Sequence, residues 1–298
     1  MYTEVRPGAD ARTLQSEAKK RKFLRHLPLI VGGTLLLAVV LMAVFAPNLT
    51  PHDPARQNII YRLRPPAWVE GGLPQHPLGT DHLGRDIWSR IVHGSRISLQ
   101  VGALAVLLGG AVGVTLGLLA GFFRGAVDAV LGRLADVQQT LPFIVLILAV
   151  VAALGPSLLN LILVLGLGSW VNYYRIVRGE VLAIREQTYV EAALAIGCSR
   201  ARILLRYILP NVLPSIIIAV TLFVPQIILF EAALSFLGLG VPPPTPTWGS
   251  MIADGRGFVE TAWWMSVLPG GVLMAAVLAI NMVGEWLRDH LDPMQRGR

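Results

Sequence analysis

The run ISLQVGALAVLLGGAVGVTLGLLAGFF, residues 97–123, contains no charged side chain. At 1.5 Å of rise per residue it outspans the roughly 30 Å hydrocarbon core of a bilayer, for which about 20 apolar residues suffice. Its glycines fall at every fourth position, Gly109, Gly113, Gly117 and Gly121, and Gly125 continues the series. A ridge without side chains lets another backbone approach closely. The approaching helix belongs either to the same subunit or to a neighbouring one. Either way the stretch describes a helix bundle inside a membrane.

Five further segments have comparable length and composition: residues 27–46, 133–154, 157–177, 212–237 and 265–287. The third span in chain order, 133–154, starts polar and carries Pro142; only Gly155-Pro156 separates it from the fourth. The expectation is therefore an all-α, polytopic membrane protein with six transmembrane helices. Overall composition agrees. Hydrophobic residues make up 54% and charged residues 14%, against about a quarter charged in soluble domains, and the mean hydropathy is +0.61. So few charges could not cover a soluble globule of 298 residues, and a disordered or fibrous chain is excluded with it.

A net charge of +7 would suit a nucleic-acid partner, but the 25 basic residues lie between apolar runs rather than on one face, as membrane orientation requires. No nucleic-acid partner is expected. The single cysteine, Cys198, forbids an intramolecular disulfide and argues against any cysteine-based metal centre, and no metal site is expected. The lysines are Lys19, Lys20 and Lys22, so no P-loop lysine exists. The chain is thus expected not to hydrolyse ATP itself and to hold no catalytic residue or cofactor.

Eighteen of the 25 Lys and Arg residues fall in the N-terminal segment, the 2–3 and 4–5 connections with Arg133 and Arg175 of the adjoining spans counted, and the C-terminal end; seven fall in the other connections. The positive-inside rule then puts both termini in the cytoplasm. Residues 1–26 form a cytoplasmic tail and 27–298 the membrane domain. The first span is a retained anchor, because 26 residues precede it and its apolar run is about twice that of a signal peptide. Residues 47–96 form an outer loop. Within it, 84–98 place Ile87, Trp88, Ile91 and Val92 on one face and Arg85, Asp86, Ser89, Arg90, His93 and Arg96 on the other, which predicts an interfacial helix on the lipid surface. Trp170, Tyr173, Tyr174, Trp263, Trp264 and Trp286 sit near span ends, at aromatic-belt positions.

All six histidines lie outside the spans, which removes a histidine proton relay. Gln226, Glu231 and Asn281 are polar positions within them. Glu231 is costly in hydrocarbon unless it faces a cavity or a partner. Two readings stand open, a translocation-pathway residue or a carboxylate hydrogen-bonded between helices. An ion-coupled carrier working alone would need several such groups and paired broken helices; it is the alternative reading of the chain.

Residues 178–211 form a long cytoplasmic loop reading Glu191-Ala192-Ala193-Leu194-Ala195-Ile196-Gly197-Cys198-Ser199-Arg200 and on to Leu209-Pro210-Asn211. Ala192, Ala193 and Ala195 give a small, smooth helix face, Gly197 a hinge, and Arg200, Arg202 and Arg206 a polar side. Such a helix can seat in a groove of another protein; an ordinary inner loop is the competing reading.

Glu191-Ala192-Ala193, Gly197 and Leu209-Pro210 at these spacings resemble the EAA loop of bacterial ABC importer permeases, with Tyr207 departing from the usual aliphatic residue. His76-Pro77-Leu78-Gly79-Thr80-Asp81 with Gly84-Arg85-Asp86, Leu234-Ser235-Phe236-Leu237-Gly238-Leu239-Gly240 and Pro243-Pro244-Thr245-Pro246-Thr247-Trp248-Gly249 are similar to the dipeptide/oligopeptide/nickel branch, closest to its C-type permease subunit. The resemblance implies a type I importer bundle with a cytoplasmic coupling helix in the inner membrane, carrying di- or oligopeptides. It further implies a second homologous permease forming the other half of the pore, two cytoplasmic subunits that bind ATP and Mg, and an extracytoplasmic substrate-binding protein. Glu191, Ala192, Ala193, Gly197 and Arg200 would then couple to the ATPase, and Gln226, Glu231 and Asn281 are pathway candidates.

Overall fold

The computed structural model describes the backbone of residues 11–291 and side-chain surroundings from residue 26 onward. The first ten residues of the expected tail lie outside the described residues. Eleven α-helices follow one another: α1 Ala11–Val44, α2 Ala46–Leu49, α3 Ile87–Phe123, α4 Gly125–Thr140, α5 Phe143–Leu154, α6 Leu158–Arg185, α7 Thr188–Ala195, α8 Arg200–Ile203, α9 Leu209–Phe236, α10 Trp248–Gly255 and α11 Trp264–Leu291. No strand occurs among the described residues beyond an isolated Thr80–Asp86 bridge.

Four helical runs are long and apolar enough to cross a bilayer: 26–44 of α1, the 37 residues of α3, Arg200–Phe236, and α11. α4 and α5 meet the same criterion only together, and they meet at an 84° bend. The third predicted span is therefore broken rather than straight. Leu141, pushed out of the helical region by the proline that follows, is extended at ψ 131°, and Pro142 offers no N–H to carry the ladder across. α6 has 28 residues, but Asn160, Ser169, Asn172 and Arg175 interrupt its apolar run. The expected six is reached only when both the bent pair and α6 are counted.

The glycine ridge of α3 packs against α6 of the same chain. A β-carbon at Gly117 would come 2.8 Å from the Tyr174 carbonyl oxygen and 2.9 Å from Val177 Cβ; at Gly121 it would lie 2.7 Å from Val181 Cβ. Gly125 lies past the helix end and faces nothing within 4 Å, so the ridge stops at Gly121.

The interfacial helix expected near 84–98 is instead the opening of α3. Most of its polar face is buried: Arg85, Asp86, Ser89 and Arg90 are all under 6% exposed, while Arg96 stays exposed. The amphipathic pattern was real, but the charged face finds counter-charges within the protein instead of water. The aromatic-belt reading also changes for four residues. Tyr173 and Tyr174 are core residues on α6, and Trp264 is buried with Nε1 donating to the Thr80 carbonyl at 3.1 Å. Trp170 donates from Nε1 to Gln138 Oε1 at 2.5 Å.

The bundle has two distinct ends. At one, Trp286 of α11 donates to His26 of α1, bringing the last and first spans together, and a cluster of Leu118, Phe122, Val177, Val181 and Val212 gathers the ends of α3, α6 and α9. At the other, the 47–86 loop, the start of α3, α10 and the start of α11 share a core of Ile87, Ile91, Met251, Ala262, Trp264 and Met265.

Candidate functional site

The segment after α6 is built so that one short helix is clamped on one side and bare on the other. Arg185 donates to the Phe122 carbonyl at 2.8 Å and lies over the Phe122 ring, fixing the end of α6 to the end of α3. α7 then buries Val190 and Ala193, one turn apart, in the cluster that joins α3, α6 and α9. Glu191, Ala192, Leu194 and Ala195 stay exposed, and Ile196 is 78% exposed. Ala193 therefore does not belong to the outward small-residue face; the periodicity that buries Val190 turns Ala193 inward with it.

Gly197 ends α7 at φ +81°. The Cys198 N–H bonds to the Ala193 carbonyl at 3.1 Å and the Gly197 N–H to that of Leu194 at 3.0 Å, the Schellman arrangement that needs a left-handed residue at this position. Ser199 caps α8 through the Arg202 N–H. Leu204–Ile208 then widens into a π-helical turn ahead of Pro210, which has no N–H to give the regular ladder. The Asn211 side chain donates instead to the Tyr207 carbonyl at 2.6 Å. Arg200 is exposed. Glu191, Ala192, Gly197 and Arg200 thus share one surface strip at one end of the bundle.

The three intramembrane candidates are not brought together. Gln226 is exposed on α9, Asn281 is half-buried on α11, and Glu231 is 0% exposed. Glu231 accepts from Ser98 Oγ at 2.9 Å and from Ser235 Oγ at 2.7 Å. Thr247 Oγ1 donates to Ser235 Oγ at 3.2 Å, and the Trp248 N–H reaches Ser98 Oγ at 3.4 Å. The carboxylate therefore ties α3 and α9 to the start of α10, out of contact with solvent.

Beside this knot lies an ion cluster whose electrostatic role the sequence reading missed. Arg85 Nε donates to Asp81 Oδ2 at 2.6 Å, and Arg90 bonds the same oxygen. Both arginines also reach Asp254 Oδ2 of α10, at 3.1 and 3.0 Å. Burial would raise the Asp81 carboxyl, but Arg90 and Arg85, with the Arg85 and Leu83 backbone N–H groups, hold it below the usual carboxylate range. Asp86 caps α3 through the Ser89 N–H and accepts from His76 Nδ1 at 2.9 Å. The signal was present in the Gly-Arg-Asp and Ser-Arg spacing, but its partner Asp254 is far away in sequence. By proximity, His52 with His76 and Asp86, or Asp81 with His82 and Asp254, could hold a metal ion. In both groups the carboxylates are already engaged by the partners just named.

Comparison with known proteins converges. The family described as "Binding-protein-dependent transport system inner membrane component" matches residues 113–297, and "N-terminal TM domain of oligopeptide transport permease C" matches 19–66. The di/tripeptide transport system permease protein DppC of Pseudomonas aeruginosa is 43% identical over 264 residues, 88% of this chain and 87% of that protein. The dipeptide transport system permease protein DppC of Escherichia coli K12 is 44% identical over 271 residues, 91% of this chain and 90% of that protein. Among solved structures, the inward-facing MetNI methionine ABC transporter aligns with a TM-score of 0.58 over 69% of this chain and 97% of that one. At 19% identity that likeness concerns the fold.

Proposed function

We propose a coupling mechanism from a firm premise: this chain belongs to the family of binding-protein-dependent transport system inner membrane components and is a permease subunit of an ABC importer. Its relatives are transport permeases, and neither family nor fold supports the ion-coupled alternative. The cargo we propose is di- or oligopeptides, after the proteins it resembles at 43–44% identity. The complex we propose pairs it with a second homologous permease, two cytoplasmic subunits that bind ATP and Mg, and an extracytoplasmic binding protein, with both termini of this chain cytoplasmic.

In this reading α7 is the fitting. Its exposed strip of Glu191, Ala192, Leu194 and Ile196 seats in the ATP-binding subunit, where small residues permit close approach and Glu191 meets a basic partner. Its buried residues, Val190 and Ala193, carry the displacement into the ends of α3, α6 and α9. ATP binding then favours one of two helix packings, and hydrolysis with product release the other. No bond is made or broken in this chain.

The observation that carries this reading is the two-sidedness of α7: fixed by Val190 and Ala193, bare at Ala192 and Ile196. Cysteine placed at Ala192 or Ile196 should crosslink to the ATP-binding subunit of the assembled transporter. Capture of no such subunit from either position, with or without nucleotide, would remove the coupling role.

A further inference from the structure

Arg85 and Arg90, just before and within the first turn of α3, each pair with both Asp81 and Asp254. Arg96, further along the same helix, differs. It is exposed, and among the described residues no hydrogen bond or ion pair engages it. It stands one residue before the uncharged run 97–123, at the level where hydrocarbon begins. A guanidinium there extends to the level of water and the lipid phosphates at the membrane interface.

Arg96 also marks the mouth of a cleft of about 690 Å³ between α1, α3, α9 and α11. Val40, Leu99, Ala103, Val224 and Ile280 line it, and besides Arg96 its polar wall residues are Gln100 and Thr221. Because α3 descends from the outer end, the lining runs from the interface at Arg96 down to the middle of α9 at Val220 and the lower half of α11 at Val283. The α1 wall is open to the side, its lining residues Val40 and Val44 being exposed. Long, apolar, open to the side and headed by one cation, the cleft matches an amphiphile better than a zwitterionic peptide.

We propose that this cleft is a phospholipid site in the outer leaflet. The Arg96 guanidinium donates to the headgroup phosphate, for which its planar fork is suited. One acyl chain lies along the Leu99, Ala103 and Val224 walls, held there by van der Waals packing. The lipid completes the surface between α1 and the α3–α9 pair, and this holds whatever the transported cargo is.

The test uses the full-length chain purified in detergent with its co-expressed subunits, with retained phospholipid counted by native mass spectrometry and by phosphorus assay. Arg96→Gln and Ala103→Trp should each lose one tightly held phospholipid per copy, whereas Arg96→Lys keeps it. Both positions are exposed, so the substitutions leave the helix packing alone; elution as an intact complex checks that. Adding diacyl phosphatidylglycerol to delipidated protein should restore the count in wild type and in neither of the first two variants. Equal retention in wild type, Arg96→Gln and Ala103→Trp overturns the proposal. So does displacement of the lipid by millimolar inorganic phosphate, which would mark an anion site alone, or a crosslink from Ala103→Cys to another subunit, which would show protein filling the cleft.

Discussion

Gly197 sits at φ +81° with nothing within 4 Å of where a β-carbon would go. Space is therefore not what it guards; conformation is. A branched side chain in the left-handed region costs about 1–2 kcal/mol, enough to break the turn that aims α7, whereas asparagine tolerates that region. Gly197→Val should abolish most substrate uptake in a reconstituted transporter while Gly197→Asn retains it. Equal loss in both would show that the position matters by contact rather than by backbone. Glu231 invites a different experiment. Removing the acceptor in Glu231→Leu leaves the buried Ser98 and Ser235 hydroxyls unsatisfied, at a cost of about 1–3 kcal/mol. Glu231→Gln keeps one carbonyl acceptor and should lose less. Thermal unfolding of the purified complex should rank wild type above Gln above Leu. A Gln variant of native stability with altered cargo preference would instead make Glu231 a pathway residue.

At the scale of elements, α7 and the Arg85–Arg90 ion cluster are held by opposite means, and so fail differently. α7 is held by packing. Ala193 is 3% exposed, and overpacking such a site costs about 1–3 kcal/mol. Ala193→Trp should therefore lower uptake while a crosslink from Ile196→Cys to the ATP-binding subunit persists, since the outer strip is untouched. The ion cluster is held by charge. A carboxylate kept low in the folded state, as Asp81 is, stabilises that state above the ordinary carboxylate range and loses the contribution as pH falls through its own lowered range. Hydrogen exchange in the 47–86 loop should accelerate on strong acidification, and Asp81→Asn should show the same acceleration at neutral pH. Indifference of the loop to both would mean that its apolar core with Ile87 and Trp264 is sufficient.

The same contrast explains what could be read from the sequence. The apolar runs, the glycine ridge and the α7 segment were legible because period and spacing are local. Arg85 and Arg90 were misassigned to the water-facing side of an interfacial helix because Asp254, one of their counter-charges, lies more than 160 residues away. Ala193 was assigned to the outward face because the composition of α7 is uniform, and only the position of Val190 against α6 tells which side turns in. The bend at Leu141-Pro142 was visible as a proline but not as a break, since prolines at 214, 225 and 269 sit inside continuous helices.

At the scale of the whole molecule, these parts set a locked helix pair beside a looser joint. The glycine ridge locks α3 to α6 with no side-chain layer between the backbones; α7 is fastened at one end of that pair, and Asp81, Asp254 and Glu231 tie the start of α3 to α9 and α10. A displacement applied at α7 should thus travel as a rigid-body movement. The α4–α5 joint lacks such a lock: Leu141 is 51% exposed, and α4 is held to α6 by Arg178 with Asp128, Arg175 with Asp136 and a small cluster around Ala135, Val171 and Tyr174. Spin labels at the exposed Leu107 and Leu159, in a Cys198→Ser background, should keep one separation with and without bound nucleotide. Labels at Val137 and Val145, across the joint, should change theirs. Replacing Gly117 by leucine would drive its side chain into the Tyr174 carbonyl and Val177 and should prevent assembly outright. A Leu107–Leu159 distance that shifts with nucleotide would mean α3 and α6 slide past one another, and the stroke would then need another carrier.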